Sequence, residues 1–253
     1  ITMRNKKFID HRFPIAFAHR GGALDAPENS LTAFKLASSM GYKYLETDVH
    51  ATKDGVVIAF HDHVLERVTD SVGVIADLEY AEIASAKING EERIPLLIEL
   101  LEEFPEARFN IDPKHDGVVD PLIKIIQSTK AIDRICIGSF SDTRISRIAK
   151  ILGENLCTGM GPRGISKIQL GRFVNRLEIP SGDCVQVPMH VKGVPLITPK
   201  FVERVHSLGK VIHAWTINER KDIEKLLDYG VDGIMTDRLD VLKSTFTDRG
   251  IWF

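Results

Sequence analysis

The chain has 253 residues, of which 43% are hydrophobic and 27% charged, and its formal net charge is −2. That length allows one α/β barrel or two small domains with a sizeable core. The near-neutral charge offers no electrostatic basis for binding nucleic acid, and no apolar run in the sequence is long enough to span a bilayer. We therefore expect a globular protein with no nucleic-acid partner and no stable membrane insertion.

Strand-like and helix-like patterns alternate along the chain. Apolar strand patterns occur at eight places, and segments with helical spacing of apolar residues separate nearly all of them. One further short strand, at 56–60, returns from the second strand through the Lys53-Asp54-Gly55 turn and is counted as an excursion. The eight predicted strands cover residues 15–18, 44–49, 108–112, 134–137, 156–160, 183–187, 210–216 and 233–237.

Capping residues and glycines indicate where helices begin and end. Asn29 or Ser30 caps the first helix and Gly41 ends it, while Thr198 caps a later one. Asn218 is predicted to cap the helix after the seventh strand, and the stretch from the fifth strand to residue 176 is predicted to be irregular. Further predicted helices cover residues 95–101, 121–127, 141–152 and 239–246.

This alternation predicts the fold class. Strands that alternate with helices form parallel sheets, and eight such units in about 250 residues match a (β/α)8 TIM barrel. We predict a single α/β barrel domain over residues 1–253, with a small insertion at about 63–93 after the second barrel unit. A doubly wound open sheet is the alternative, which the lack of a GxGxxG motif after the first strand disfavours.

Polar residues occur where the predicted strands end. His19 ends the first strand, Glu46 and Asp48 share one side of the second, and Asp112 ends the third. His61 ends the excursion that follows the second strand. In a TIM barrel the active site lies at the carboxyl ends of the strands, and successive strands are neighbours. We therefore expect these five residues to meet in one sector of the barrel mouth.

These residue types suit metal-assisted acid–base chemistry. Three carboxylates without a thiolate favour one hard divalent cation, Mg²⁺ or Ca²⁺. The two histidines can divide the proton transfers, with His19 as the base and His61 as the acid, or the reverse. Arg20 and Lys114 add fixed positive charge, which suits an anionic substrate such as a phosphodiester.

Short motifs also follow one another in a specific order and spacing along nearly the whole chain. They are His19-Arg20-Gly21-Gly22, Pro27-Glu28-Asn29-Ser30, Glu46-Thr47-Asp48-Val49, Thr52-Lys53-Asp54-Gly55, His61-Asp62, Ile94-Pro95-Leu96 and Trp215-Thr216-Ile217-Asn218. This set resembles the glycerophosphodiester phosphodiesterase family. The resemblance implies a TIM barrel that hydrolyses a small-molecule glycerophosphodiester to sn-glycerol 3-phosphate and an alcohol, using a divalent metal.

The resemblance also implies a role for each candidate residue. His19 and His61 would be the acid–base pair, and Arg20 and Lys114 would bind the phosphate. Glu46, Asp48 and Asp112 would hold the metal, and Trp215 would form an apolar wall for the glycerol or alcohol group. The insertion would be the small segment that the family carries between barrel units and that can cover the mouth.

The segment Asp112-Pro113-Lys114 departs from the family pattern, which has glutamate, an apolar residue and lysine. Aspartate is one methylene shorter, so the cation would lie closer to the strand or bind through water. Related phospholipase D barrels carry an aspartate in a similar place, which leaves a phosphodiesterase that forms a cyclic phosphate as an alternative. A non-catalytic barrel that only binds ligands is a further alternative, but it would normally have lost one of the histidines or carboxylates.

The cysteines and the chain ends bear on location and assembly. Cys136, Cys157 and Cys184 lie in apolar strand-like segments without metal-ligand spacing, so we interpret them as reduced core residues of a cytoplasmic protein. The first twelve residues are polar and basic and lack the apolar core of an export signal. The alternative that an export signal has been removed stays open. The aromatic end at Trp252 and Phe253 would mark a subunit contact, as in a homodimer, unless it docks on the barrel.

Overall fold

The structure is a computed structural model that describes residues 6–12, 14–170 and 181–252. Its strands follow the predicted pattern closely, with two additional short hairpins. In chain order they are β1 (Ile15–Ala18), β2 (Tyr44–Ala51), β3 (Val57–Ala59), β4 (Lys87–Ile88), β5 (Glu92–Arg93), β6 (Arg108–Pro113), β7 (Ile135–Ile137), β8 (Cys157–Thr158), β9 (Cys184–Pro188), β10 (His190–Val191), β11 (Val194–Pro195), β12 (Val211–Trp215) and β13 (Gly233–Thr236).

Eight of these strands form a nearly closed parallel barrel. They lie side by side in the order β8-β7-β6-β2-β1-β13-β12-β9. The two ends of this sheet meet at a parallel bridge between Gly159 and Cys184, where the Met160 amide donates to the Cys184 carbonyl at 2.7 Å. The predicted (β/α)8 barrel is therefore confirmed, and the open-sheet alternative is wrong.

Strand register places the acidic residues together. In the parallel pairing of β2 with β6, Asp48 lies opposite Asp112 and Glu46 lies opposite Asn110. Alternate residues of a strand face opposite sides, so these side chains face the barrel interior, while between them Ile111 of β6 packs in the main core and Thr47 of β2 donates to Asn29 at 2.8 Å. The excursion is also as predicted, since β3 pairs antiparallel with β2.

Helices cover the outside of the barrel, and two of them begin at caps predicted from the sequence. Ser30 accepts a hydrogen bond from the Ala33 amide at 3.1 Å, and Thr198 accepts one from the Phe201 amide at 3.2 Å. The helices are α1 (Leu31–Ser39), α2 (Tyr80–Ile83), α3 (Leu97–Glu103), α4 (Val119–Ser128), α5 (Asp142–Leu152), α6 (Pro162–Leu170), α7 (Pro199–Ser207), α8 (Arg220–Asp228) and α9 (Leu239–Asp248).

Two local predictions are wrong. Asn218 does not cap α8: the N-cap is Glu219, and the Asn218 side chain instead accepts a hydrogen bond from the Asp237 amide at 2.9 Å. The stretch predicted to be irregular contains α6, although residues 171–176 lie outside the described part. Gly164 lowers the intrinsic helix propensity there, but the buried Ile168 side chain packs on the core and stabilises the helix.

The segment predicted as an insertion, 63–93, packs around a small apolar cluster that it shares with the residues just before and after it. It contains α2 and the β4–β5 hairpin, and its buried side chains form a cluster separate from the main core. That cluster consists of Ile58, Phe60, Leu65, Ile75, Ile83, Ala86, Ile88 and Ile94. The segment is therefore held against β3 by hydrophobic burial.

The chain end docks on the barrel. The Trp252 ring packs edge-on against Tyr42 with ring centroids 5.0 Å apart, and the Lys243 ammonium lies 5.6 Å from the indole centroid. Phe253 lies outside the described residues. Trp252 therefore docks on the barrel and is half-buried, and the homodimer stays a prediction. In the described ranges, no helix combines the length and apolar character needed to cross a bilayer.

Candidate active site

A cavity of about 360 Å³ opens at the carboxyl ends of the barrel strands. We call it the mouth cavity, and its lining includes every residue that the sequence singled out for the site. These are His19, Arg20, Glu46, Asp48, His61, Asp112, Lys114 and Trp215. The structure thus brings all of the candidates together, while their chemical roles stay predictions.

His19 leaves the end of β1 in a single 3₁₀ turn, His19–Gly21. Its Nδ1 hydrogen-bonds the Asp237 carboxylate at 2.7 Å, and its Nε2 lies 3.8 Å from Glu46 Oε2. Burial lowers the pKa of this imidazole, but the negative charge of Glu46 and the hydrogen bond and charge of Asp237 outweigh burial and raise it. With Nδ1 held by Asp237, Nε2 is the nitrogen left for chemistry.

Glu46 and Asp48 enter the mouth cavity from β2 and are almost fully buried. Burial and the adjacent Asp48 charge raise the pKa of Glu46 to about 7. Burial also raises the pKa of Asp48, but the Lys114 and Arg20 cations outweigh it and lower that pKa below its ordinary value. Glu46 is therefore the carboxylate whose negative charge is poorly balanced by protein groups.

Lys114 lies between two of the carboxylates. Its Nζ is 2.6 Å from Asp48 Oδ1 and 2.8 Å from Asp112 Oδ2. Burial raises the pKa of Asp112 in spite of this ammonium. Pro113 is the last residue of β6 and still pairs with Val49, so the proline does not displace Asp112 from the sheet register.

Arg20 holds three acidic groups around the mouth. Its backbone is left-handed, with φ 51°, and its amide donates to Glu46 at 2.9 Å. The guanidinium donates through Nη1 to Glu28 at 3.2 Å, and its Nε lies 3.2 Å from Asp48 but is buried without a hydrogen bond. Asn29 donates a further hydrogen bond to Asp48 at 3.2 Å. The Arg20 Nε is thus a donor that still lacks an acceptor.

A chain of charged groups orients His61. Its Nδ1 lies 2.6 Å from Asp62, which accepts from Arg67 Nε at 2.5 Å. Arg67 also donates to both oxygens of Glu28, at 2.6 and 2.9 Å. The Arg67 hydrogen bond, opposed by burial and assisted by His61, lowers the pKa of Asp62 to about 2. An ionised carboxylate therefore holds His61 by one ring nitrogen, as Asp237 holds His19.

The other side of the mouth cavity is apolar. The Trp215 ring lies perpendicular to Phe140 with ring centroids 5.9 Å apart, and Phe140 is 71% exposed. Other apolar side chains continue this wall: Met160, Ile165, Val191 and Leu196. The lining of the mouth cavity therefore combines charged groups with an apolar wall suited to carbon-rich groups.

Comparison with known proteins identifies the family. A family model described as the glycerophosphoryl diester phosphodiesterase family matches residues 19–241. The chain belongs to this family. It is 35% identical to "Probable glycerophosphodiester phosphodiesterase 2" of Mycobacterium tuberculosis, with 97% of this chain and 96% of that protein covered.

Other members of the glycerophosphodiester phosphodiesterase family agree. The glycerophosphodiester phosphodiesterase of Caldanaerobacter subterraneus is 30% identical, with 90% of this chain and 96% of that protein covered. The solved structure of a glycerophosphodiester phosphodiesterase from Thermotoga maritima superposes with a TM-score of 0.74 at 26% identity, covering 91% of this chain and 97% of that one. The predicted family and enzyme class are confirmed.

Sequence reasoning missed the residues that support the two histidines. The sequence pattern shows Asp237 only as the end of the eighth strand. In a closed barrel that strand neighbours the first one, so Asp237 lies beside His19. Asp62 belongs to the His61-Asp62 motif, but the motif alone assigns it no role. Arg67 lies in the predicted insertion, and no local pattern signals that its side chain reaches Glu28.

The three carboxylates suit a divalent cation, provided that the Lys114 ammonium moves away from one of them. Enzymes of this family generally depend on a divalent metal. The oxygen-only donor set of Glu46, Asp48 and Asp112 suits Mg²⁺ or Ca²⁺, and the raised pKa of Glu46 reflects negative charge that a cation would offset. However, the Lys114 ammonium now lies between Asp48 and Asp112, so shared coordination requires this ammonium to turn away from one of them.

A buried histidine two residues after Asp48 on β2 makes stability depend on pH. His50 donates to the His61 carbonyl at 3.1 Å and stacks on His115, and burial lowers the pKa of His50 to about 4. The unfolded chain takes up this proton near pH 6.5, whereas the folded protein resists it until about pH 4. We expect the free energy of unfolding to fall by up to about 3 kcal/mol across this window.

Urea denaturation at pH 7 and pH 4.5 measures this effect. The wild-type protein should lose more stability on acidification than His50→Gln, which retains a donor for the His61 carbonyl but does not titrate. Equal losses in both proteins would assign the acid sensitivity to other groups.

Proposed function

We propose that this enzyme hydrolyses glycerophosphodiesters to sn-glycerol 3-phosphate and an alcohol, with a divalent cation and with His19 and His61 sharing the proton transfers. The observation that carries the proposal is the shared cavity: two carboxylate-anchored imidazoles, three carboxylates and two cations line the same mouth cavity. The relatives named above are called phosphodiesterases of this substrate class, which supports the same reaction here.

The reaction replaces one phosphorus–oxygen bond by another. A water oxygen attacks the phosphorus of the diester while one imidazole takes a proton from that water. The bond from phosphorus to the alcohol oxygen breaks, and the second imidazole gives a proton to the departing oxygen. Because Asp237 and Asp62 each hold an Nδ1, both histidines would act through Nε2, and each carboxylate would stabilise the imidazolium form of its partner.

Charge stabilisation is the larger contribution to the rate. Negative charge builds up on the phosphoryl oxygens in the transition state, and fixed cations in a partly dry cavity stabilise it strongly. Lys114 and Arg20 would provide that charge, and the unpartnered Arg20 Nε has a hydrogen bond to give. The cation, held by Glu46, Asp48 and Asp112 when bound, would supply Lewis-acid stabilisation of the same oxygens.

The apolar wall would receive the organic part of the substrate. Trp215 and Phe140 line the same cavity as the carboxylates, so a phosphate held by Arg20 and Lys114 would place one ester substituent within reach of the aromatic rings. Glycerol carbons or the carbon skeleton of the alcohol can contact these rings. Trp215 would therefore contribute to substrate affinity and not to the proton transfers.

Chelation tests the metal requirement. We expect excess chelator to abolish turnover of glycerophosphocholine and glycerophosphoethanolamine, and added Mg²⁺ or Ca²⁺ to restore it, because carboxylates hold the cation. Release of glycerol 3-phosphate is the measurement, and the ion that restores the higher rate identifies the preferred cofactor. Undiminished activity in excess chelator would remove the cation from the mechanism.

Substitution of the third carboxylate tests the ligand set. Asp112→Glu restores the family's usual side chain, so we expect it to retain metal binding measured by calorimetry. Asp112→Asn lacks the charge, and we expect it to bind the cation at least about tenfold more weakly. If Asp112→Asn binds as tightly as the wild-type protein, Asp112 is not a ligand.

A further inference from the structure

Three cysteines that are far apart in the sequence meet in the barrel interior. Cys136, Cys157 and Cys184 lie on the consecutive strands β7, β8 and β9, and Cys136 pairs directly with Cys157 in the strand register. All three are reduced and at most 1% exposed. Their sulfurs lie within 4.8 Å of one another, and those of Cys136 and Cys184 are 3.6 Å apart. We call this group the cysteine cluster.

A histidine adjoins the cysteine cluster. His213 lies on β12, the strand next to β9, and its side chain is completely buried. Its Nδ1 is 3.4 Å from the Gln186 amide nitrogen, but its Nε2 has no hydrogen-bond partner. Leaving a buried polar nitrogen unpaired costs about 1–3 kcal/mol. Such an atom would gain from a polar partner, and the effect of His213 on the pKa of the Cys184 thiol places its ring close to that sulfur.

The thiols have unequal acidity. Hydrogen bonds from Cys136 and Cys157, with a smaller contribution from His213, lower the pKa of the Cys184 thiol, whereas burial raises the pKa of the other two. The thiolate, unlike the thiol, is the form that binds metals.

We propose that Cys136, Cys157 and Cys184 form a second metal site that binds one thiophilic cation, Zn²⁺, and that the neighbouring His213 imidazole, which lies outside the 4.8 Å grouping of the three sulfurs, moves toward them to supply the fourth ligand. In a tetrahedral zinc site with Zn–S bonds of about 2.3 Å, the sulfurs are about 3.8 Å apart. The observed separation of 3.6 Å between Cys136 and Cys184 is close to this value. Three thiolates and one imidazole are a frequent ligand set of structural zinc, and they select against Mg²⁺ and Ca²⁺.

Other interpretations of the cysteine cluster account for fewer of its features. A disulfide between two of the cysteines requires an S–S distance of about 2.05 Å, so the sulfurs would have to move together. It would also leave the third thiol and the His213 nitrogen unused. A purely apolar packing of thiols explains their burial but not the unpaired Nε2.

The site lies at the closure of the barrel, beneath the mouth cavity. Gln186 links the two regions: its amide nitrogen donates to Asn110 in the cavity wall at 2.7 Å and also faces His213. β8 and β9 meet through the single bridge of Gly159 with Cys184. Zinc bound by four protein ligands has no open position for substrate, so its effect is to cross-link the four strands β7, β8, β9 and β12 at this closure.

Metal analysis of the full chain tests the proposal. Protein is produced in zinc-supplemented medium, washed with a carboxylate-type chelator, and analysed for zinc by mass spectrometry. We expect one zinc per chain, and the same content in Glu46→Gln, because the mouth carboxylates are not ligands of this site. Replacement by Co²⁺ during refolding should give the near-ultraviolet charge-transfer band of thiolate–cobalt bonds.

Matched variants on β9 separate ligation from packing. Cys184→Ala and Val185→Ala each shorten one buried side chain of the same strand, but only Cys184 belongs to the cysteine cluster. Cys184→Ala should lose at least about nine-tenths of the zinc and the cobalt band, whereas Val185→Ala should keep both. Equal zinc in folded Cys184→Ala and Val185→Ala would overturn the proposal.

Wild-type protein decides the question even if Cys184→Ala does not fold. Zinc-edge X-ray absorption should then show three sulfur neighbours and one nitrogen neighbour. Wild-type protein that contains no zinc, or zinc bound only by oxygen and nitrogen, would overturn the proposal. Activity is not the readout, so the result does not depend on the function proposed for the mouth cavity.

Discussion

His19→Ala and His61→Ala are each expected to lower kcat by about 10²- to 10⁴-fold on glycerophosphocholine, since each removes one of the two proton transfers. KM should change less, because the phosphate ligands Arg20 and Lys114 remain. Steady-state kinetics at saturating divalent cation provides the measurement. A rate near that of the wild-type enzyme in either variant would remove that histidine from the mechanism.

A control and a second substrate sharpen this experiment. His63→Ala alters an exposed histidine two residues from His61 that does not line the mouth cavity, so it should leave kcat unchanged. With a p-nitrophenyl ester, the departing oxygen needs no proton. The variant lacking the acid should then recover much of its rate, whereas the variant lacking the base should not.

The same assay separates direct hydrolysis from the cyclic route. Both routes place one oxygen from ¹⁸O-labelled water on the phosphoryl group, so the routes differ only in whether an intermediate comes first; direct attack by water gives none. If the neighbouring hydroxyl of the glycerol attacks first, a cyclic phosphate accumulates before glycerol 3-phosphate. Detection of the cyclic compound would favour the phospholipase D-like alternative.

Lys114→Met is expected to reduce kcat/KM by about 10²- to 10³-fold, the loss typical of removing one stabilising group from a developing oxyanion. The ammonium contacts both Asp48 and Asp112, and its charge lowers the pKa of each carboxyl group. Its loss would therefore also weaken ionisation of the two proposed metal ligands. In a pH profile of kcat/KM, Lys114→Met should therefore reach its full activity at a higher pH than the wild-type enzyme.

Two further variants control for the change of charge. Lys150→Met removes an exposed lysine from α5 and should leave kcat/KM unchanged. Lys114→Arg keeps the charge in a bulkier group and should recover part of the activity. Wild-type kcat/KM in Lys114→Met would show that this ammonium serves only the carboxylates and not the substrate.

The barrel and the mouth were predictable because their signals are local and periodic. Alternating strand and helix patterns determine the order of elements, and the i, i+2 spacing of Glu46 and Asp48 on β2 determines that both face one side. The position of His19 at the end of β1 then follows from the general placement of active sites in this fold. No long-range contact had to be known for these predictions.

Other features depend on contacts that neighbouring residues do not reveal. Asn218 has the residue type of a helix cap, but its amide hydrogen-bonds the Asp237 loop in the folded protein, and this tertiary contact overrides the local preference. The cysteines lacked any motif because their proximity arises from the strand order and register. The role of Arg67 likewise depends on the fold of the segment that carries it.

The closure between β8 and β9 has a consequence for how the barrel opens. Adjacent strands elsewhere pair over at least two consecutive residues, whereas this closure relies on one bridge and on amides of Met160 and Asp183. Local fluctuations begin where cooperative hydrogen bonding is sparse. Deuterium should therefore enter these two amides faster than those of β1 and β2, and the mouth wall formed by Met160 would loosen in the same event.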